Sequence, residues 1–172
     1  MRRYYKISFV YKKKKYYTLW FNNDIDGLLN KNKKIILFKS DNEMINYSIN
    51  NNIKVKEDKI VNYNVDRIKI IIKNIKLMKD EKINCKYILG IWNIIGDIVR
   101  TNQTYFSGDL WKIKNKKLLL IYDKIFFGNN LPALRGDGEI YIPIFNNNEI
   151  KNILNILEEC YGIFVNMFKN YI

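Results

Sequence analysis

A chain of 172 residues, 48% hydrophobic and 15% aromatic, carries enough apolar side chain to offset the entropy of ordering; this excludes a disordered segment and fits one domain. Its 30 Lys and Arg against 17 Asp and Glu give a formal charge of +13, which on its face points to an anionic partner such as nucleic acid. The composition weakens that reading, because 30 Ile, 25 Asn and 25 Lys stand against one Ala and five Arg. AT-rich codons inflate lysine without selection for anions, and arginine is the residue that base and phosphate readers favour.

No stretch supplies the roughly 20 apolar residues of a membrane span. The longest apolar-rich run, residues 83–99, is broken by Lys86, Asn93 and Asp97. The basic start, residues 1–6, lacks the continuous apolar run of a signal peptide. The expectation is a cytoplasmic protein with no membrane association. Cys85 and Cys160 lie among apolar neighbours and read as two buried free thiols.

In chain order, residues 4–11 alternate Tyr5, Ile7, Phe9 and Tyr11 against Lys6, Ser8, Val10 and Lys12, and residues 16–21 are β-branched or aromatic. With residues 12–15 as a solvated lysine turn, they predict a hairpin. Asn22, Asn23 and Asp24 mark a turn. Residues 34–38 read as a short strand. Ser40 with Glu43 is a capping box, with Glu43 reaching back to the cap, for a helix over 41–49. Residues 53–63 are strand-like or irregular.

Residues 65–78 carry Ile68, Ile71, Ile72 and Ile75 at helical spacing, although an Ile-rich run also suits a strand. Residues 84–100 form a stronger helix. Its apolar faces leave a thin polar stripe of Lys86, Asn93, Asp97 and Arg100, so it is central and buried on most sides. Asp97 is expected to pair with Arg100 or to cap a neighbouring element. Residues 117–127 read as a strand or a buried helix, Gly136-Asp137-Gly138 as a tight turn, and residues 139–145 as strand-like. A last long helix starts near Asn148, with Gly162 as its left-handed cap. Trp20, Trp92 and Trp111 are placed in the core or at its edge. The fold expected is a single α+β domain over residues 1–172: an N-terminal β-hairpin and mixed sheet packed against a buried central helix and a long C-terminal helix.

Chemistry is thin along this chain. There is no histidine, which removes the commonest general base and every Cys–His or Ser–His pair. Gly128, Gly136 and Gly138 do not match a phosphate-cradling loop. Asp24-Ile25-Asp26-Gly27 begins like a calcium loop but lacks the later acidic ligands. Asp137 and Glu139 sit in a glycine-flanked turn, with Tyr141 where a nuclease of the E-x-K type needs lysine. The expectation is a binding protein rather than an enzyme, with no cofactor and no metal.

One pattern goes further. Residues 35–47, a strand running into a capped helix, are followed by Tyr63-Asn64-Val65-Asp66 and by a helix containing Trp92-Asn93 and Asp97. This resembles immunity proteins of bacterial contact-dependent inhibition and related polymorphic toxin systems. Asn64 stands where an acid is usual, and the chain is basic where nuclease inhibitors are often acidic. The resemblance implies a cytoplasmic inhibitor that binds a cognate protein toxin, often a nuclease, and blocks its active site or substrate path. The alternative is a basic nucleic-acid-binding accessory or defence factor. Loop logic names the candidate contacts: Asp24, Asp26, Asp123, Asn129, Asn130, Arg135, Asp137 and Glu139.

Overall fold

The structure, a computed structural model, describes residues 2–77, 83–112, 114–132, 138, 140–169 and 171. Strands β1 (Arg3–Tyr11) and β2 (Lys14–Asn22) form the expected hairpin, in a register that sets Tyr5 opposite Trp20 and Phe9 opposite Tyr16. The turn is tighter than the lysine run suggests. Lys12 and Lys13 alone make it, with φ of 49° and 60°, the twist-matched geometry for a two-residue hairpin. Two non-glycine residues at positive φ are costly. The carboxylate of Asp66 accepts both their N–H groups at 2.8 and 2.9 Å and holds the turn in place.

Strand β3 (Gly27–Leu28) adds to the far side of β2, and a two-stranded ribbon of β4 (Asn30–Lys31) and β5 (Lys34–Ile35) follows. The strand expected over 34–38 is therefore short, and it resumes contact with the sheet through a single bridge from Phe38 to Tyr17. Helix α1 (Asp41–Asn50) is capped by Ser40, which accepts from the Glu43 N–H. Glu43 reaches one residue further back than a capping box predicts, to the N–H of Lys39 at 2.8 Å.

Strand β6 (Val61–Asn64) pairs parallel with β1, making the sheet mixed, in the order β3-β2-β1-β6. Helix α2 (Asp66–Lys76) settles the Ile-rich run as helix, and α3 (Cys85–Asn102) is the central helix. Residues 117–127 belong to helix α4 (Lys116–Gly128). Helix α5 (Asn147–Phe168) ends the chain's regular structure and runs straight through Gly162. Gly162 is no cap, because Phe164, Met167 and Phe168 beyond it are buried. Phe164 packs on Phe9, and Phe168 packs on Phe9, Tyr11 and Tyr16. Burying that last stretch outweighs the roughly 1 kcal/mol that glycine costs inside a helix.

Strand periodicity divides the core. Ile7, Phe9, Tyr11 and Tyr16 face α2, α3 and α5, while Leu19 joins Leu29, Phe38 and Met44 on the α1 side. The sheet is thus covered on both faces, and α4 packs outside α3. Both cysteines are free and buried. No helix among the described residues is long and apolar enough to cross a membrane.

A true capping box opens α5, with Asn146 and Glu149 exchanging bonds at 2.8 and 3.0 Å. The Lys124 ammonium, bonded to Glu149 at 2.6 Å, and the Asn146 N–H hold the Glu149 carboxyl below its usual range, against a smaller effect of burial. A depressed carboxyl stabilises the fold fully above its unfolded pKa of about 4.3 and loses that contribution as pH falls through the folded value. Glu149→Gln is therefore expected to flatten the acid limb of a urea-unfolding pH profile below about pH 4.3. An acid limb identical to that of the parent would refute this pairing.

Candidate functional site

The polar stripe of α3 is where the molecule departs from ordinary packing. Asn93, Asp97 and Arg100 recur at the i, i+4, i+7 spacing that puts them on one helix face. Asp97 is 9% exposed and Asp109 2% exposed. Arg100 bridges them: one guanidinium nitrogen meets Asp97 Oδ1, and the other meets Asp109 Oδ1 at 2.6 Å. The second oxygen of Asp97 accepts from Trp20 Nε1 at 2.8 Å. The indole of Trp111 covers the guanidinium, with Arg100 Cζ 5.5 Å from the ring centroid.

Around this triad opens a cleft of about 380 Å³. Trp20 comes from β2, Tyr63 from β6, Trp92 and Asn93 from α3, Trp111 from the α3–α4 connection and Tyr122 from α4, with Asp26 at the loop before β3. The aromatic walls are pinned. Trp92 Nε1 donates to the Gly108 carbonyl at 2.7 Å, and Tyr122 donates to Asn93 Oδ1 at 2.9 Å. A Cβ on Gly108 would come within 2.7 Å of Trp92 Nε1 and of the Phe106 ring, so only glycine lets that loop close on the indole.

Burial pushes the Asp97 carboxyl above its ordinary range, against the pull of Trp20 and Arg100, and nearby Asp26 adds to the rise. Burial and the Asp97 charge together raise Tyr63 to about 12. Tyr63 therefore stays a neutral hydrogen-bonding phenol at physiological pH. Asp97 accepts from Trp20 and Arg100, and Asp109 accepts from Arg100. Among the described residues, no three His, Cys, Asp or Glu side chains group to hold a metal.

Among the described residues expected to make contacts, Asp26 alone lines this cleft, where Asn22 Nδ2 donates to its Oδ1 at 2.9 Å. Asp24 is exposed on the same loop, and Asp123 is exposed on α4. Asn129 caps the end of α4. Asn130, at φ 53°, uses its side chain on backbone, bonding the Tyr141 N–H at 2.8 Å and the Tyr141 carbonyl at 2.9 Å. Arg135, Asp137 and Glu139 lie outside the described residues. Trp111, expected in the core or at its edge, is 62% exposed; its indole lies over the Arg100 guanidinium rather than in the apolar interior.

No family model matches the chain, and neither a curated protein nor a solved structure is found to be similar to it.

Asn130 also explains the segment that follows. Residues 140–145 run without regular structure, although strand pairing was expected for residues 139–145. The Asn130 amide replaces a neighbouring strand at Tyr141, and Pro143 has no N–H to give a ladder. Ile140, Ile142 and Ile144 are consequently left 65%, 58% and 85% exposed. A chain of rings links this segment to the cleft: Trp92 to Tyr122, Tyr122 to Phe126, Phe126 to Phe127 and Phe127 to Tyr141, with centroids 5.5 to 6.5 Å apart.

Proposed function

We propose that this chain is a stoichiometric protein-binding inhibitor, a cytoplasmic immunity protein that captures and neutralises a cognate bacterial toxin, with a nuclease as the leading class. The observation that carries the reading is the row of exposed isoleucines in residues 140–145, joined through Tyr141 and Phe127 to the rings that line the aromatic cleft. Contiguous exposed apolar side chains on a folded domain mark interaction surfaces. Trp, Tyr and Arg dominate the energetic centres of protein interfaces, and the cleft concentrates these residue types. The exposed isoleucines occur at every second residue of a segment without sheet partners, and such a segment is available to add to a partner's sheet. The pattern in residues 35–100 that resembles immunity proteins gives the partner its class.

The test is co-expression with the toxin domain encoded by the upstream reading frame. The parent chain should protect growth and bind the toxin domain tightly. The double change Ile142→Asp/Ile144→Asp, at exposed positions, should leave stability within about 0.5 kcal/mol and weaken binding at least tenfold, about 1.4 kcal/mol. Undiminished binding by that variant would refute this face as the interface.

A second reading, nucleic-acid binding, draws on the lysines at two other cavities, Lys33 and Lys34 at one and Lys69, Lys73 and Lys76 at the other. Phosphate contacts would make affinity fall steeply as salt rises. Under the inhibitor reading, the chain shows no nucleic-acid affinity at physiological salt.

A further inference from the structure

The cleft is where a strongly basic protein turns acidic. Three carboxylates, Asp26, Asp97 and Asp109, stand in or directly behind it against the one guanidinium of Arg100. Among the described residues, no lysine lines it. The contrast is local, because the other two cavities named above are both lined by lysine. A phosphate or carboxylate entering the cleft would meet Asp26 and Asp97, while the charge of Arg100 is already taken up by two acids. A cation would meet the opposite: carboxylates, together with the faces of Trp20, Trp111 and Tyr63, whose ring quadrupoles attract positive charge.

The molecule itself displays the favoured geometry. Arg100 lies between an indole face and two carboxylates. A planar guanidinium suits such a slot better than an ammonium, because it stacks on the ring while its N–H groups fork toward carboxylate oxygens.

We infer that the cleft receives the side chain of an arginine offered by the partner, seated against Trp20 and Trp111 with Asp26 as its counter-charge. This rests on the protein-binding reading and names the chemistry of the partner at that face. It gives the local acidity a purpose: a basic loop, of the kind that handles phosphate in a nuclease, would be drawn to an acidic cleft on a basic protein.

The three indole N–H groups, Trp20, Trp92 and Trp111, provide the readout by NMR on the intact chain. The probes are N-acetyl-arginine amide, N-acetyl-lysine amide and adenosine monophosphate. The arginine probe should shift the Trp20 and Trp111 resonances with saturation in the millimolar range. The lysine probe should bind more weakly, and the nucleotide should not bind. Asp26→Asn should weaken the arginine probe about fivefold, as expected for a charge pair worth about 1 kcal/mol near the surface. Trp111→Ala should weaken it by at least as much.

Absence of a saturable shift, equal or tighter binding of the nucleotide, or parental affinity in both variants would overturn the inference. The two readings also fail separately. A toxin domain bound with unchanged affinity by Asp26→Asn and Trp111→Ala overturns the arginine slot and leaves the inhibitor reading standing. Binding of the arginine probe by a chain that captures no toxin supports the slot and overturns the inhibitor reading.

Discussion

Replacing Arg100 with methionine is expected to lower the unfolding free energy by about 3–5 kcal/mol. The two carboxylates it bridges, Asp97 and Asp109, are nearly inaccessible to water. Removing the guanidinium leaves them facing each other, with the Trp20 indole N–H, at 2.8 Å, as the remaining side-chain donor to Asp97 among the described residues. The cost comes from stranding buried charge rather than from the worth of the pair itself. The triple variant Asp97→Asn/Arg100→Met/Asp109→Asn removes that charge and should recover most of the loss. Urea denaturation of the two variants measures both quantities. A single variant as stable as the parent, or a triple variant no better than the single, would show that the triad is not held by this electrostatic balance.

The second large effect is expected at Trp92. It is 1% exposed, touches Phe106 and Tyr122 edge to face, and donates to the Gly108 carbonyl. Trp92→Ala should cost about 3–5 kcal/mol, because the transfer free energy of the indole is lost and a cavity remains. The Gly108 carbonyl also loses its donor. Trp92→Phe fills most of the space but cannot donate, and its stability should fall between the parent and the alanine variant. Because the same ring forms the inner wall of the cleft, Trp92→Ala should abolish the aromatic-cleft signals of the arginine probe even where the protein remains folded. A loss below about 1 kcal/mol would contradict the packing described here.

Much of the architecture was legible from local pattern. The alternation of residues 4–11 and 16–21 specified a hairpin, and the apolar faces of residues 84–100 specified the central helix, because these signals repeat at the period of the structure they form. The pairing of Asp97 with Arg100 followed from their spacing on one helix. Local signals failed where distant partners overrode them. Gly162 resembled a cap, yet the sheet's aromatic residues bury the turn beyond it. Residues 139–145 resembled a strand, yet the Asn130 side chain and Pro143 leave residues 140–145 with no ladder. The Ile-rich residues 65–78 read as helix from their spacing with a strand still open, and α2, packed against α5, is that helix over Asp66–Lys76.

The sequence by itself determined the α+β class, the hairpin, the order and type of the strongest helices, and a net charge of +13. It did so because residue type and periodicity are properties of adjacent positions. Tertiary structure alone decided where the acidic and aromatic side chains gather. The cleft is assembled from β2, β6, α3, α4 and two connecting loops, and its side chains span positions 20 to 122. Asp26 reaches it because β3 pairs with β2 beneath α3, while Asp24, two residues earlier, stays in solvent. No local period encodes such a meeting. It follows from which faces of the sheet and helices are buried against one another, and that packing turns three scattered acids and five scattered aromatic rings into one acidic, aromatic cleft on a basic protein.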